Sequence, residues 1–240
     1  MSRRQKSPCF HFKQFSVVQH QAAMRVTTHA CVFGALIDVE GATRILDIGT
    51  GTGLLSLMLA QRCDAAIDAV ELDRGACDDA THNFIDSPWA VRLQLFPQSF
   101  QDFCADKVQK YSHIVSNPPF FAESLGSNDD ARLLARHDVA LPLATLLPLA
   151  QQKLQEDGKL WLLLPDIAEK RLRREAAPLG LHISQRIALC NIAGRAVNRW
   201  VFCLEQHAKP ERERTLVIYS PHPHYSSECL ALLKPYYASL

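Results

Sequence analysis

The 240-residue chain has 48% apolar and 21% charged residues, which is ordinary globular composition and excludes an intrinsically disordered chain. The formal net charge is +1, so the chain as a whole is not a polycation, although no Asp or Glu occurs before Asp38. This basic leading segment is either a phosphate-contacting arm or a solvated terminus. Eight cysteines occur without a C-x-x-C pair, which favours a reduced cytoplasmic protein without disulfides or zinc. The longest apolar run, near 141–150, contains two prolines and is too short to cross a membrane.

Hydrophobic periodicity predicts helices and strands that alternate along most of the chain. The predicted helices cover 22–39, 54–60, 74–84, 141–155 and 167–177. The predicted strands cover 44–48, 65–70, 91–95, 111–116, 159–164, 181–189, 196–204 and 215–219. This order predicts an α/β fold with a doubly wound, Rossmann-like, mostly parallel sheet, and the last three strands are expected to form an antiparallel edge. We expect one domain over 1–240, with 1–40 as a lead-in and helix, and a functional lid or binding loop over 121–138.

A glycine-rich turn follows the first long predicted strand. Asp47, Gly49, Gly51 and Gly53 alternate with other residues, and a helix follows directly. The glycines permit a tight turn and close approach of a ligand to the backbone, as in nucleotide-binding α/β folds. The spacing differs from the G-x-G-x-x-G of nicotinamide dinucleotide sites. Because an acidic residue repels phosphates and accepts from a cationic amino acid group, the turn favours S-adenosylmethionine as the cofactor.

Further cofactor contacts are predicted after the next two strands. Glu71 lies at the end of the second predicted strand and is placed to accept from the ribose hydroxyls. The other interpretation of Glu71 is a solvent-facing strand end. Ser99 and Phe100 follow the third strand, where an adenine ring commonly lies.

The sequence Asn117-Pro118-Pro119-Phe120 follows the fourth strand and is the predicted catalytic motif. Two consecutive prolines fix the backbone and remove two N–H donors, so the surface is rich in hydrogen-bond acceptors. The Asn117 side chain and the Pro118 carbonyl can both accept from an exocyclic amino group, and Phe120 offers a face for stacking a base. A base in folded RNA must first leave its stack. The alternative is an ordinary Asn-Pro turn.

Four basic residues are candidates for contacting a nucleic acid substrate, or are simply solvated: Lys13, Arg25, Arg132 and Arg136. No group of His, Cys and Asp residues has metal-ligand spacing, so no metal is expected.

The chain resembles the bacterial tRNA1(Val) adenine-N6 methyltransferases over nearly its whole length. The resemblance rests on these runs: Phe10-His11-Phe12-Lys13-Gln14-Phe15, Ala23-Met24-Arg25-Val26, the glycine turn, Ser87-Pro88-Trp89-Ala90, the Asn-Pro-Pro-Phe motif and Tyr225-Ser226. It implies a class I methyltransferase domain that uses S-adenosylmethionine and methylates N6 of adenine 37 in the anticodon loop of the tRNA. It also implies that Asp47, Gly49, Gly51 and Glu71 hold the cofactor and that Asn117 to Phe120 hold the base.

The chain departs from the family pattern at three places. His29 and Ala30 stand where Asp-Gly is usual, Ser99 stands for Asp, and Phe120 stands for Tyr. Two other functions therefore stay open. The Asn-Pro-Pro-aromatic motif also occurs in methyltransferases that act on an rRNA base or a protein glutamine. A non-catalytic RNA-binding relative would carry departures of the kind seen at His29, Ala30 and Ser99.

Overall fold

The computed structural model describes residues 8–118 and 141–239. The strands of this part of the chain are β1 Cys9–His11, β2 Ser16–Val18, β3 Arg44–Ile48, β4 Ala66–Glu71, β5 Leu93–Pro97, β6 Tyr111–Ser116, β7 Leu154–Pro165, β8 His182–Ile192, β9 Arg199–Glu205 and β10 Arg212–Tyr219. Its helices are α1 Thr28–Leu36, α2 Leu54–Ala60, α3 Arg74–Ile85, α4 Phe100–Asp106, α5 Leu143–Lys153, α6 Glu169–Ala176 and α7 Ser227–Leu233. The strands β1 and β2 form a small hairpin, and the other eight form one sheet.

The central sheet has the order β10-β8-β9-β7-β6-β3-β4-β5. From β7 to β5 all neighbouring strands are parallel, so the predicted α/β fold with a mostly parallel sheet is confirmed. The three C-terminal strands extend this sheet as predicted, but the antiparallel strand is not at the edge. β9 runs antiparallel to both β7 and β8, and the edge strand β10 pairs parallel with β8. The short segment between β8 and β9 explains why β9 runs antiparallel to β8, because a short connection brings the chain back alongside the strand that it has just left.

Both faces of the sheet are covered by apolar side chains. Val201 and Cys203 of β9 join the core on one face, with α1, α2 and α7, whereas Trp200, Phe202 and Leu204 join the core on the other face, with α5 and α6. Burial on both faces explains why the parallel strands are continuous apolar runs in the sequence.

The N-terminal hairpin and the start of α1 differ from the predicted lead-in and helix over 22–39. The Thr27 side chain accepts from the backbone N–H of Ala30 at 3.2 Å and so fixes the start of α1 at Thr28. Before it, the hairpin is anchored by remote residues. The Lys13 N–H donates to the Tyr236 carbonyl at 2.7 Å, and the Val18 N–H donates to Asn83 Oδ1 at 2.7 Å.

Two further boundaries differ from the sequence prediction. The helix α5 ends at Lys153 and β7 begins at the next residue, so β7 is much longer than expected. The buried Lys153 ammonium donates to the Cys104 carbonyl at 2.9 Å and thereby ties the end of α5 to α4. The helix α4 was not predicted; Ser99 caps it by accepting from the Asp102 N–H at 3.1 Å.

Gly53, the N-cap of α2, offers a test of how tightly the turn before it is packed. Its φ is +82°, and a Cβ at this position would lie 2.4 Å from Cε1 of the buried Phe84 ring. We predict that Gly53→Ala lowers the free energy of unfolding by about 2–5 kcal/mol, the sum of left-handed backbone strain and overpacking. Urea unfolding monitored by circular dichroism measures this change.

Gly41 is the matched control because its φ is +72° but a Cβ there would meet nothing within 4 Å. Gly41→Ala should cost only the backbone strain, about 1–2 kcal/mol. Equal losses for the two variants would show that contact with Phe84 does not constrain the turn.

Candidate active site

Three of the predicted site features, the glycine turn, Glu71 and Asn117, converge at the carboxyl edge of the parallel strands β4, β3 and β6. Ile48, the last residue of β3, pairs with Val70 of β4 on one side and with Ser116 of β6 on the other. The Ser116 hydroxyl also donates to the Ile48 carbonyl at 2.8 Å, which holds the ends of β3 and β6 together. The glycine turn, Glu71 and Asn117 therefore follow three neighbouring strands at the edge where ligands bind in open α/β sheets.

The Asp47 carboxylate lies inside the glycine turn and is fully buried. Its Oδ2 atom accepts from the Thr50 hydroxyl at 2.6 Å, from the Ser56 hydroxyl at 2.7 Å and from the Ser56 N–H at 3.2 Å. Burial raises the pKa of Asp47 to about 6, since it outweighs the opposing effect of these hydrogen bonds, and the charge of Glu71 raises the pKa further. Asp47 thus shapes the turn while remaining ionised near neutral pH.

The second oxygen of Asp47 fits a cationic amino acid group. Oδ1 is buried and has no hydrogen-bond partner among the described residues. Gly49 and Gly51 have φ of +69° and +58°, and a Cβ at either would meet nothing within 4 Å, so the space beside the turn is open. An unsatisfied buried carboxylate oxygen beside open backbone suits the α-amino group of S-adenosylmethionine better than a phosphate.

Glu71 joins β4 to the glycine turn through hydrogen bonds to the backbone. Its Oε2 accepts from the Gly51 N–H at 2.8 Å, and its Oε1 accepts from the N–H groups of Leu72 at 2.8 Å and Asp73 at 2.9 Å. A carboxylate has about four acceptor positions, so roughly one is left for a ribose hydroxyl. For Glu71 to accept from both ribose hydroxyls, as the sequence predicted, one of its acceptor positions has to serve a backbone N–H and a hydroxyl at the same time.

Ser99 and Phe100 have structural contacts that the sequence did not reveal. The Ser99 hydroxyl caps α4 and donates to Asp102 Oδ2 at 2.6 Å. The Phe100 ring is only 4% exposed and packs in the core near Phe103, with ring centroids 6.4 Å apart. A cofactor contact at Phe100 therefore has to come from its backbone, and the predicted cofactor role of both residues stays a prediction.

The catalytic motif begins directly after β6. Asn117 is half-buried and Pro118 is buried. Pro119 and Phe120 lie outside the described residues, as does the predicted loop over 121–138. The described part of the motif thus stands beside the glycine turn, and its stacking residue remains a sequence prediction.

Two of the four predicted substrate-binding residues lie within the described part of the chain. The Lys13 ammonium donates to the Lys234 carbonyl at 2.6 Å, just after α7, so it helps to fasten the hairpin. Arg25 is exposed and follows that hairpin, whereas Arg132 and Arg136 lie outside the described residues.

Sequence reasoning missed two buried polar residues on α3 that attach the N-terminal segment to the site. The Asn83 side chain donates to the Thr52 carbonyl at 2.8 Å and to the Val18 carbonyl at 2.9 Å, so it links the glycine turn to β2. Asp79 Oδ2 accepts from the N–H groups of Gln21 and Ala22 at 2.9 and 2.8 Å. Polar residues with i, i+4 spacing on the buried face of a helix were the available signal.

Within residues 8–118 and 141–239, no cluster of three or more His, Cys, Asp or Glu side chains could hold a metal ion. No helix in the same ranges is long and apolar enough to cross a membrane.

Comparison with known proteins decides which family this site belongs to. The methyltransferase small domain model matches residues 31–173. The chain is 37% identical over 234 residues to the tRNA1(Val) (adenine(37)-N6)-methyltransferase of Cytophaga hutchinsonii, covering 96% of this chain and 98% of that protein. It is 36% identical over 239 residues to the protein of the same name from Pasteurella multocida, covering 99% of each. The chain belongs to the tRNA1(Val) (adenine(37)-N6)-methyltransferase family. The family resemblance expected from the sequence is thus confirmed, and with it the use of S-adenosylmethionine.

Solved structures agree on the fold. A predicted O-methyltransferase from Agrobacterium tumefaciens superposes with a TM-score of 0.65 at 13% identity, covering 86% of this chain and 95% of that one. A ribosomal protein L11 methylase from Lactobacillus delbrueckii superposes with a TM-score of 0.56 at 17% identity, covering 80% and 84%. At these identities the likeness shows the class I methyltransferase fold alone.

The elevated pKa of Asp47 predicts how cofactor binding depends on pH. A cationic amino group prefers the ionised carboxylate, so affinity for S-adenosylmethionine should fall as pH decreases through about 6 and Asp47 takes up a proton. The fall should approach roughly tenfold per pH unit below the pKa. Isothermal titration calorimetry between pH 7.5 and pH 5 measures this dependence.

Asp47→Asn is the control because an amide oxygen can still accept from Thr50 and Ser56. Its affinity should be about tenfold or more below that of the wild type at pH 7.5 and nearly flat toward pH 5. If the affinity for S-adenosylmethionine falls equally with pH in the wild type and in Asp47→Asn, the pH dependence arises from the cofactor or from another residue.

Proposed function

We propose that this protein transfers a methyl group from S-adenosylmethionine to N6 of adenine 37 in the anticodon loop of tRNA1(Val). The support from sequence is membership of a family whose relatives, named for that reaction, match almost the full chain. The observation that carries the proposal is geometric. Asn117 follows β6 at the position where β6 pairs with the end of β3, directly beside the glycine turn that holds Asp47. The acceptor for an amino group and the acceptor for the cofactor are therefore neighbours.

The chemistry requires the amino nitrogen of adenine to become nucleophilic. S-adenosylmethionine supplies an electrophilic methyl group when bound. Asn117 Oδ1 and the Pro118 carbonyl oxygen each accept one of the two hydrogens on N6, which orients the amino group and draws its lone pair out of conjugation with the ring. Charge that develops on the nitrogen is stabilised by these fixed acceptors, and water takes the released proton. No covalent intermediate with the protein is needed.

The substrate base has to reach this edge of the sheet from a folded RNA. Extruding a base costs a few kcal/mol, and stacking on an aromatic ring contributes about 1–3 kcal/mol. In the proposal, Phe120 supplies that ring, and two basic residues further along the sequence, Arg132 and Arg136, contact phosphates. The chain acts as one methyltransferase domain in the cytoplasm, where its tRNA substrate is found.

Replacing Asn117 separates this mechanism from simple cofactor binding. We predict that Asn117→Ala lowers kcat for tRNA methylation about a hundredfold to a thousandfold, because one of the two acceptors on N6 is lost. Affinity for S-adenosylmethionine should stay within about twofold of the wild type. Single-turnover methyl transfer and calorimetry measure the two quantities.

Gln109→Ala is the matched control. This carboxamide precedes β6 at the opposite end of the same strand, where it donates to the Lys110 carbonyl at 3.0 Å. The Gln109→Ala variant should keep full methyl-transfer activity. The assigned role of Asn117 is wrong if Asn117→Ala retains normal kcat, or if it loses cofactor affinity in proportion to its activity.

A further inference from the structure

Arg199 is a half-buried cation at the carboxyl edge of the sheet, away from the residues assigned above. As the first residue of the antiparallel strand β9, it pairs with Pro165, the last residue of β7. Its neighbour Trp200 belongs to the core on the α5 and α6 face, so Arg199 points to the other face, toward α1. That is the face that carries the N-terminus of α1.

No carboxylate neutralises Arg199 within the described part of the chain. Other arginines there, such as Arg173 and Arg186, form ion pairs with glutamates at 2.6–2.9 Å, but Arg199 forms none. Asp166 follows Pro165, but it accepts from Trp200 Nε1 at 2.8 Å on the opposite face. Burial lowers the pKa of Arg199, yet a guanidinium remains charged at neutral pH. A charge kept partly out of water without a partner calls for a ligand of opposite sign.

Two polar side chains, His29 and Asn191, lie near Arg199. Nε2 of His29 is a buried atom without a hydrogen-bond partner among the described residues, and the Asn191 amide beside it carries an NH₂ group that can donate to an anion. Burial and the charge of Arg199 lower the pKa of His29, although its interaction with Asn191 opposes this. His29 is therefore neutral and can donate one hydrogen bond. It occupies the first turn of α1, whose N-terminal end carries positive partial charge.

We infer that Arg199, His29 and Asn191 form an anion site that binds a phosphate of the substrate RNA beside the target adenine. The inference rests on the proposed function for the identity of that RNA. In the sheet, β9 lies two strands from β6, which is about 10 Å at the usual spacing between strands. A nucleotide next to a base held at Asn117 can span that distance. β9 lies three strands from β3, about 15 Å, so the cofactor at the glycine turn is the less suitable ligand.

The test compares Arg199→Gln with Arg212→Gln, in the full-length protein. Arg212 is exposed and begins β10, so its removal takes the same charge from the opposite edge of the sheet. Fluorescence anisotropy with unmodified tRNA1(Val) transcript measures Kd at several salt concentrations, and calorimetry measures Kd for S-adenosylmethionine.

For Arg199→Gln we expect tRNA binding about tenfold weaker, a slope of log Kd against log salt smaller by about 0.7–0.9, and unchanged cofactor affinity. Arg212→Gln should match the wild type in all three. Urea unfolding should show Arg199→Gln to be as stable as the wild type or more so, because a charge without a partner is removed. Arg199→Lys should recover most of the tRNA affinity.

The inference is overturned by any of three results. The first is that Arg199→Gln and the wild type have equal tRNA affinity and salt slope. The second is that Arg199→Gln loses affinity only for the cofactor. The third is that both Arg199 variants lose tRNA affinity and stability together. The proposed function fails separately, if the wild-type protein binds tRNA through Arg199 but transfers no methyl group to it.

Discussion

Two carboxylates on neighbouring strands hold the turn on which the site depends. Asp47, at the end of β3, binds Thr50 and Ser56 from inside the turn, and Glu71, at the end of β4, binds the Gly51 N–H from outside. Burying Asp47 is costly, which is why its pKa is raised, and its three hydrogen bonds offset part of that cost. Its second oxygen is buried without a partner among the described residues, and the amino group of a cationic ligand would supply one. The carboxylate that shapes the turn is thus also the group that, in the proposed function, binds the amino group of S-adenosylmethionine.

The central sheet could be predicted from the sequence because its strands are continuous apolar runs between helices with regular periodicity. The N-terminal hairpin could not, since its three-residue strands depend on partners as distant as Asn83 and Tyr236. An antiparallel strand near the C-terminus was expected from the sequence, but its place inside the sheet, with β10 parallel at the edge, is a matter of tertiary pairing. The helix α4 had a usable signal, because Ser99 and Asp102 have the spacing of a capping motif at its start.

The site was only partly predictable for a similar reason. Asp47, Glu71 and Asn117 could be placed at one edge of the sheet because short motifs mark the ends of strands, and the parallel sheet brings these ends together. Phe100 was assigned to the cofactor from its position after β5, whereas its ring packs into the core. Arg199 was missed because an arginine at the start of a strand is unremarkable in sequence. Its importance comes from the absence of a carboxylate partner around it in the described structure.

The most direct test of the proposed reaction is methyl transfer from labelled S-adenosylmethionine to unmodified tRNA1(Val) transcript, followed by mass analysis of the nucleosides. A second transcript carries guanine in place of adenine 37. The account predicts N6-methyladenosine in the first transcript and no label in the second. Label that persists in the second transcript, or a different methylated nucleoside in the first, would contradict the assigned target. Absence of transfer to the first transcript by a protein that binds the cofactor would contradict the proposed function itself.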